Sequence, residues 1–388
     1  LMDALASGEL SAVSLMQKTY DRIAQENPRI NAICTLVPLE QSLEAAQRVD
    51  DARHQGQKLP ELAGLPLAIK DLADTRGVLT TQGSPIYAQH VPDVDSLFVS
   101  RLRAAGGIII GKTNTPEFGA GSHTFNPLFG VTRNPYDTLK TAGGSSGGAA
   151  AALASGMVAL ADGSDMGGSL RNPAAFCNVV GLRPTMGRVP TLPKAKETFS
   201  RMAVEGPMAK TVEDCAAMLR IMAGADSRDP RSLDLGALPS TPALTDAPKN
   251  LRLGWAPNPA GLPIEPSVLS VLSGAVTAMQ NLYPTIEEVD LCELNGAMGV
   301  FTLLRAAAFA EGLGDLYRSD HDKMKATVLN NIKLGLELTG DVLTQAESQR
   351  TRLQKALISL FDRFDYLLLP VTQVMPFPIE LEFPTTIN

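Results

Sequence analysis

The chain has 388 residues, enough for two or three average domains or for one large α/β domain. Hydrophobic residues make up 44% of it and charged residues 19%, which predicts a large buried core and argues against disorder over the whole chain. The net charge of −7 argues against a nucleic-acid partner, because phosphate binding needs clustered Lys and Arg side chains.

The cysteine pattern and the hydropathy of the sequence indicate the cellular compartment. Cys34, Cys177, Cys215 and Cys292 are scattered, without a C-x-x-C pair or the spacing of a zinc site. This pattern predicts a cytoplasmic protein with reduced thiols and no bound metal. The sequence shows no run of about 18 apolar residues and no signal peptide, so no membrane partner is expected.

The first 60 residues have helical patterns. Ser11 is a candidate N-cap, and Pro28 is expected to end the helix that follows it. A second helix is predicted over roughly 38–55. Apolar residues of the first helix recur at helical spacing on one face: Met16, Tyr20 and Ile23.

From residue 64 the pattern changes to a strand, a helix and a strand. The apolar run 65–70 predicts a buried strand that ends at Lys70. The helix around 98–105 ends at Gly106, and 107–111 is a β-branched strand. This order predicts a βαβ unit and a parallel sheet.

The rest of the chain alternates loops with regular elements. A Gly/Ser loop at 143–148 leads into an Ala-rich helix, and Thr211 begins a helix that ends before Gly224. Residues 225–249 are rich in Asp, Pro and Ser and are predicted to form a long surface loop. The last predicted elements are a strand, a helix and a strand: 251–255, 353–364 and 366–369.

One segment matches the P-loop expression G-x-x-x-x-G-K-[ST]. It runs from Gly106 to Thr113 and leaves open a nucleotide-binding module with Lys112 on the phosphates. Three isoleucines occupy the would-be loop, and Pro116 interrupts the helix that should follow. We therefore favour a plain buried strand.

Two Gly/Ser segments are candidates for chemistry. In 141–148 the glycines allow a sharp turn before a helix N-terminus, which suits either a flexible turn or an anion cradle. In 162–173 two glycines precede Ser169, which exposes its hydroxyl and directs consecutive N–H groups to one spot, as an oxyanion hole requires. An ordinary turn capped by Ser169 is the alternative.

Single basic residues are less specific. Lys70 is either a solvated strand end or, when buried, an amine whose lowered pKa makes it a base. The four histidines form no metal-binding repeat. His123 is interpreted as a pocket or loop residue.

Lys70, the Gly143–Gly148 block and the Gly167–Arg171 block occur in the order that is typical of one family. The chain resembles the amidase signature family, most strongly over about 64–224. Shorter matching segments support the resemblance: 112–118, 126–130, 134–135, 180–184, 206–208 and 365–370.

The resemblance implies an α/β fold, an α/β/α sandwich around a large mixed β-sheet. It also implies one amidase domain over 1–388, with N-terminal helices in 1–60, a signature core in 64–224 and a variable region in 250–388. Family members continue with a further Gly/Pro-rich segment, so a C-terminal tail is expected to be missing from this sequence.

The resemblance further implies hydrolysis of a linear carboxylic amide to an acid and ammonia or an amine, without metal or organic cofactor. Ser169 would be the nucleophile, Ser145 after a cis peptide bond would bridge it to Lys70, and Lys70 would be the general base. The oxyanion would be held by the N–H groups of Met166, Gly167, Gly168 and Ser169. Other implied site residues are Gly119 and Gly121 in the acyl pocket, and Ser146, Asp165 and Arg171 as residues that orient the loops.

Within this family an alternative is the glutamine-hydrolysing component of a tRNA-dependent amidotransferase. The segments 116–121 and 189–193 differ from the typical pattern of that component. Ser164 stands where the family often has Thr, which keeps the hydroxyl. The expected partner is a small-molecule amide of unspecified identity, and a homodimer is left open.

Overall fold

The computed structural model describes residues 1–192, 202–236, 238, 250–283 and 285–387. The chain forms two compact units, and the single amidase domain expected over 1–388 stays a prediction. Unit 1 contains Leu1–Thr241, Asp322–Lys325 and Pro378–Glu382, and unit 2 contains Pro242–His321, Ala326–Phe377 and Phe383–Asn388. Two short segments of the predicted variable region thus belong to unit 1, because they hydrogen-bond to loops of the signature core.

Unit 1 is a mixed α/β structure, as predicted. Its helices are α1 (Met2–Ser7), α2 (Ala12–Ile30), α3 (Leu39–His54), α4 (Leu97–Ala104), α5 (Gly147–Ala154), α6 (Arg171–Phe176) and α7 (Val212–Met222). Its strands are β1 (Ile33–Leu36), β2 (Pro66–Lys70), β3 (Ile108–Thr113), β4 (Phe125–Asn126), β5 (Gly130–Val131), β6 (Leu160–Asp165), β7 (Val180–Gly181) and β8 (Val204–Ala209).

Six of these strands form the large mixed sheet, in the order β1-β3-β2-β6-β8-β7. β2 is parallel to both β3 and β6, and the remaining pairs are antiparallel. The chain from β2 through α4 to β3 is therefore the predicted βαβ unit, which is confirmed. The Ala-rich α5 is buried along nearly its whole length, because small side chains let it pack closely on the sheet.

The N-terminal helices follow the predicted pattern with one correction. The Ser11 hydroxyl accepts the Ser14 N–H at 3.0 Å and caps α2, and α3 lies within the predicted 38–55. Pro28 does not end α2, which continues to Ile30 and ends at Asn31 in the left-handed conformation. Pro28 lies in the last turn, so its missing N–H removes only one helical hydrogen bond.

The P-loop interpretation of Gly106–Thr113 is wrong. Residues Ile108–Thr113 form β3, and their backbone pairs with β1 and β2 instead of forming an open loop. Lys112 is completely buried, and its Nζ donates hydrogen bonds to backbone and threonine oxygens. Neither the backbone nor the lysine is therefore arranged to bind a phosphate.

Over its described residues, unit 2 contains a smaller parallel sheet in the order β10-β9-β11 and four α-helices. The last helix, predicted over 353–364, begins earlier and spans Gly340–Arg363. The elements are β9 (Leu253–Trp255), α8 (Pro266–Met279), β10 (Ile286–Glu288), α9 (Ala297–Asp320), α10 (Ala326–Leu336), α11 (Gly340–Arg363) and β11 (Tyr366–Leu368).

Two predictions about segments need comment. Residues 225–236 of the predicted surface loop contain no helix or strand, whereas 237 and 239–249 lie outside the described residues. Contrary to the sequence-based expectation, the segment Cys292–Lys323 is long and apolar enough to cross a membrane by length and composition alone. Helix α9 of this segment packs against α10 and α11, as a helix within a multi-helix unit does. The segment is therefore only weak evidence for a membrane-spanning helix.

Candidate active site

Three segments of unit 1 meet at one edge of the large sheet. Lys70 is the last residue of β2, Ser164 lies near the end of β6, and Ser145 and Ser146 directly precede α5. Because β2 and β6 are parallel neighbours, their carboxyl ends lie at the same edge of the sheet. Residues far apart in the sequence are thereby brought together.

The Lys70 ammonium lies among three serine hydroxyls. Its Nζ is 2.8 Å from Ser145 Oγ, 2.8 Å from Ser146 Oγ and 3.0 Å from Ser164 Oγ. Lys70 is only 1% exposed, which decides against the solvated strand end that the sequence left open. The lysine and the predicted bridging serine are therefore in direct contact.

Burial changes the acid–base properties of Lys70. Desolvation lowers its pKa to about 8, although the negative charges of Glu205, Asp162 and Asp165 act in the opposite direction. The neutral amine is therefore a minor form near neutral pH, but a far more accessible one than for an exposed lysine.

The loop before α5 has the backbone geometry that the family resemblance implies. The peptide bond between Gly144 and Ser145 is cis, and Gly143 has a φ of 78°. A β-carbon at Gly143 would lie 2.9 Å from Pro173 Cα, and one at Gly144 would lie 3.0 Å from the backbone nitrogen of His123. Glycine is required at both positions because neighbouring backbone approaches so closely.

Ser169 lies beside this loop. The Ser146 N–H donates to the Ser169 carbonyl at 3.1 Å, and Ser169 is half-buried. Among the described residues, the Ser169 hydroxyl has no hydrogen-bond partner, so a contact with the Ser145 hydroxyl is not formed here. Catalytic hydrogen bonds often form only when substrate binds.

The turn around Ser169 is organised by one buried carboxylate. Asp165 accepts hydrogen bonds from Gly168 N at 2.8 Å and Leu170 N at 3.1 Å, and it binds the Arg171 guanidinium with both oxygens at 2.9 Å. Arg183 approaches the same carboxylate at 3.5 Å. Burial alone would raise the pKa of Asp165, but the hydrogen bonds from Arg171 and the backbone outweigh it and lower the pKa.

This arrangement corrects the prediction for Gly168. Its N–H is bound to Asp165 and is not directed at a ligand, so it is not a free oxyanion donor. Met166, Gly167 and Ser169 stay as candidate donors on the same turn, and Gly167 is exposed. By binding the Gly168 N–H, Asp165 fixes the turn that carries the N–H groups of the three remaining candidates.

The two predicted pocket glycines lie near Ser145. A β-carbon at Gly119 would lie 3.5 Å from Ser145 Oγ and 2.8 Å from Leu72 Cδ1. The Gly121 carbonyl lies 3.1 Å from the position of a β-carbon at Gly144. Both glycines have positive φ, and Gly121 is exposed.

Some functional contacts were missed by the sequence reasoning. Ser146 was predicted to orient loops, but with Ser164 it contacts Lys70 directly. Asp162 accepts the Lys70 N–H at 2.9 Å, and burial raises the pKa of this carboxyl to about 6. The available signal for these contacts was the series of polar residues Asp162, Ser164 and Asp165 on the short strand β6.

The comparisons with known proteins fit this geometry. The family model described as Amidase matches residues 14–386. The A subunit of the glutamyl-tRNA(Gln) amidotransferase of Chloroflexus aggregans (strain MD-66 / DSM 9485) is 35% identical over 399 residues, which cover 97% of this chain and 81% of that protein. The chain belongs to the amidase signature family.

Solved structures of amidase signature enzymes have the same fold. A bacterial aryl acylamidase of this family superposes with a TM-score of 0.93 at 28% identity, covering 100% of this chain and 82% of that chain. A chain from a vestigial protein complex, described as revealing the origins of an s-triazine catabolic enzyme, has a TM-score of 0.89 at 31% identity, with coverages of 98% and 82%. The predicted family and fold are thus confirmed. Within the described residues, no group of three or more His, Cys, Asp or Glu is arranged to hold a metal ion.

Proposed function

We propose that this member of the amidase signature family hydrolyses a carboxylic amide to an acid and ammonia or an amine, by way of an acyl-enzyme at Ser169. The observation that carries the proposal is the contact of the buried Lys70 Nζ with Ser145 Oγ at 2.8 Å, beside the Ser169 turn. A buried amine of lowered pKa, a bridging hydroxyl and a second hydroxyl are the groups that a serine nucleophile needs.

In the proposed first step, Ser169 Oγ attacks the amide carbonyl carbon. Its proton passes to Ser145, whose own proton passes to the neutral Lys70 amine. The carbonyl oxygen becomes an oxyanion that the N–H groups of Met166, Gly167 and Ser169 stabilise, and losing one such donor costs about 3 kcal/mol. The C–N bond then breaks, and Lys70 returns a proton through Ser145 to the leaving nitrogen.

In the second step, water attacks the ester that links the acyl group to Ser169. Lys70 again receives the proton through Ser145, the ester C–O bond breaks, and Ser169 regains its hydroxyl proton. The serine hydroxyls around Lys70 suit this cycle, because each accepts a hydrogen bond from Lys70 Nζ and also carries a proton of its own.

A panel of aliphatic and aryl amides tests the proposal. We expect the wild-type chain to release amine or ammonia from at least one class, and the Ser169→Ala variant to lose this activity with an unchanged circular dichroism spectrum. Ser7→Ala, at the exposed end of α1, is the matched control. Full activity of Ser169→Ala would exclude Ser169 as the nucleophile.

A second candidate is the glutamine-hydrolysing component of an amidotransferase, acting with a protein partner. It is favoured by the names of the curated relatives. One of them is the A subunit of the glutamyl-tRNA(Gln) amidotransferase of Moorella thermoacetica (strain ATCC 39073 / JCM 9320). It is 40% identical over 320 residues, which cover 82% of this chain and 65% of that protein. The sequence of 116–121, Pro-Glu-Phe-Gly-Ala-Gly, favours the amidase. Glutaminase activity that depends on a co-purifying protein would support the second candidate.

A further inference from the structure

A chain of hydrogen bonds links residue 379 to the loop that carries Ser145. The Ile379 carbonyl lies 3.0 Å from His123 Nε2, and His123 Nδ1 lies 2.7 Å from Thr141 Oγ1. The Gly143 N–H donates to the same Thr141 oxygen at 2.9 Å. His123 is 3% exposed and Thr141 is completely buried, so water does not compete for these bonds.

The chemistry of the partners fixes the direction of each bond. The Ile379 carbonyl only accepts, so His123 Nε2 carries a proton and donates it. In a neutral imidazole Nδ1 is then an acceptor, which receives the Thr141 hydroxyl proton. The Thr141 oxygen accepts from the Gly143 N–H, so each hydrogen bond of this series has a defined donor and a defined acceptor.

The charges around His123 agree with a neutral ring. Burial lowers the pKa of His123, and the nearby Lys325 cation acts in the same direction. The hydrogen bond to Ile379 and the Glu382 carboxylate oppose these effects without reversing them.

The same loop is held from a second side by the residue after His123. Thr124 Oγ1 donates to the Gly143 carbonyl at 2.8 Å and accepts the Gly147 N–H at 3.1 Å. The Gly143 N–H is thus bound by Thr141 and the Gly143 carbonyl by Thr124, directly before the Gly144–Ser145 bond. The position of the Ser145 hydroxyl, which contacts Lys70 Nζ, depends on this backbone.

We propose that His123 is a positioning residue for Ser145, acting through Thr141 on the Gly143 backbone and requiring a neutral imidazole. This proposal rests on the proposed amide hydrolysis. Protonation of His123 places a second donor on Nδ1, which faces Thr141. The Thr141 hydroxyl proton then loses its acceptor, the chain rearranges, and proton transfer through Ser145 slows.

The reaction of Ser169 with a fluorophosphonate provides a test that needs no knowledge of the substrate. In this reaction a Ser169 O–P bond forms, the P–F bond breaks with release of fluoride, and the serine proton passes through Ser145 to Lys70. We expect Thr141→Val, which is nearly isosteric, to slow the labelling roughly 10- to 100-fold without weakening reversible binding of the probe, because loss of alignment affects the chemical step. Thr141→Ser restores the hydroxyl and should recover most of the lost rate.

The pH profile separates this role from a purely structural one. The wild-type labelling rate should fall with unit slope on a logarithmic scale below the pKa of Lys70, and more steeply below the pKa of His123. In His123→Gln, whose amide offers N–H donors and a carbonyl acceptor but does not titrate, the slope should stay at one. His54→Gln, exposed at the end of α3, is the matched control and should keep the steeper limb.

A direct measurement covers the case of poorly folding variants. Nitrogen-15 NMR of the wild-type imidazole should show the Nε2–H tautomer at neutral pH. An Nδ1–H tautomer, an imidazolium at pH 7, or a Thr141→Val variant that labels at the wild-type rate would each overturn the role of His123 alone. If the wild type is not labelled at any pH while the predicted tautomer is present, the proposed function fails, and the role of His123 falls with it.

Discussion

Two buried lysines lie on neighbouring strands of the large sheet. Lys70 ends β2, and Lys112 lies on β3 opposite Ile69. They are 1% and 0% exposed, and burial lowers the pKa of each to about 8. Burial and pKa therefore do not distinguish the catalytic base of the proposed mechanism from its neighbour.

The hydrogen-bond partners do distinguish them. Lys112 Nζ donates to the Ala73 carbonyl and to the hydroxyl oxygens of Thr75 and Thr80. Both threonine hydroxyls give their own protons to carbonyls, those of Ala73 and Val78, so Lys112 faces only acceptors and is held as an ammonium ion. Lys70 faces three serine hydroxyls. That of Ser146 donates to the Ser164 carbonyl at 3.5 Å, whereas those of Ser145 and Ser164 have no acceptor among the described residues and are able to donate to a neutral amine or accept from an ammonium. Partner chemistry, rather than burial, decides which lysine can exchange a proton.

The largest expected effect is on the reaction rate. Lys70→Met should lower kcat/KM roughly 100- to 10,000-fold, the usual contribution of a general base. Lys112→Met should have a far smaller effect on the rate of the folded fraction, because Lys112 contacts none of the three serines. Kinetics on an amide identified in the panel, corrected for folded protein by circular dichroism, measure the difference. Similar losses in the two variants would contradict the comparison.

The next effect is on stability, and here Lys112→Met should be more damaging than Lys70→Met. Lys112→Met leaves the threonine and carbonyl acceptors unpaired and Asp71 without a nearby cation, which should cost about 3–5 kcal/mol of unfolding free energy. Urea unfolding followed by far-ultraviolet circular dichroism checks this, with the exposed Lys58→Met as control. A midpoint for Lys112→Met equal to that of the control would show that the ammonium is not held as inferred.

The comparison also shows what the sequence could reveal. Capping at Ser11 and Thr211 and the βαβ pattern predicted the elements, because they depend on local signals. The ordered motifs predicted Lys70 and Ser145 as partners. The contact of Lys70 with Ser164 depends on the alignment of β2 with β6, which no local pattern encodes.

Other parts of the site were beyond prediction for the same reason. The binding of the Gly168 N–H by Asp165 depends on the exact path of a turn, although both residues belong to one motif. The contact of His123 with Ile379 joins residues 256 positions apart. Local sequence specifies which groups are present, whereas long-range packing decides which hydrogen bonds they make.

A third prediction concerns Asp162, whose charge acts on both lysines. The proposed amide hydrolysis requires neutral Lys70, so kcat/KM should rise with pH up to about 8 and then level off. The Asp162 carboxylate raises the pKa of Lys70, as does that of Glu205, so Asp162→Asn should lower the apparent pKa. The asparagine oxygen can still accept the Lys70 N–H.

The pH profiles of wild type, Asp162→Asn and the exposed control Asp3→Asn test this. The active limb of Asp162→Asn should begin at lower pH, whereas Asp3→Asn should match the wild type. An unchanged or raised apparent pKa in Asp162→Asn would mean that the titrating group is not Lys70.

The smallest expected effect is at Ser164. Its hydroxyl is one of three around Lys70, and a net hydrogen bond contributes about 0.5–1.5 kcal/mol, so Ser164→Ala should lower kcat/KM by roughly two- to tenfold. Ser164→Thr keeps the hydroxyl and should stay close to wild type. A loss in Ser164→Ala as large as that in Lys70→Met would mean that Ser164 transfers the proton itself. The relay would then run through β6 rather than through the loop before α5.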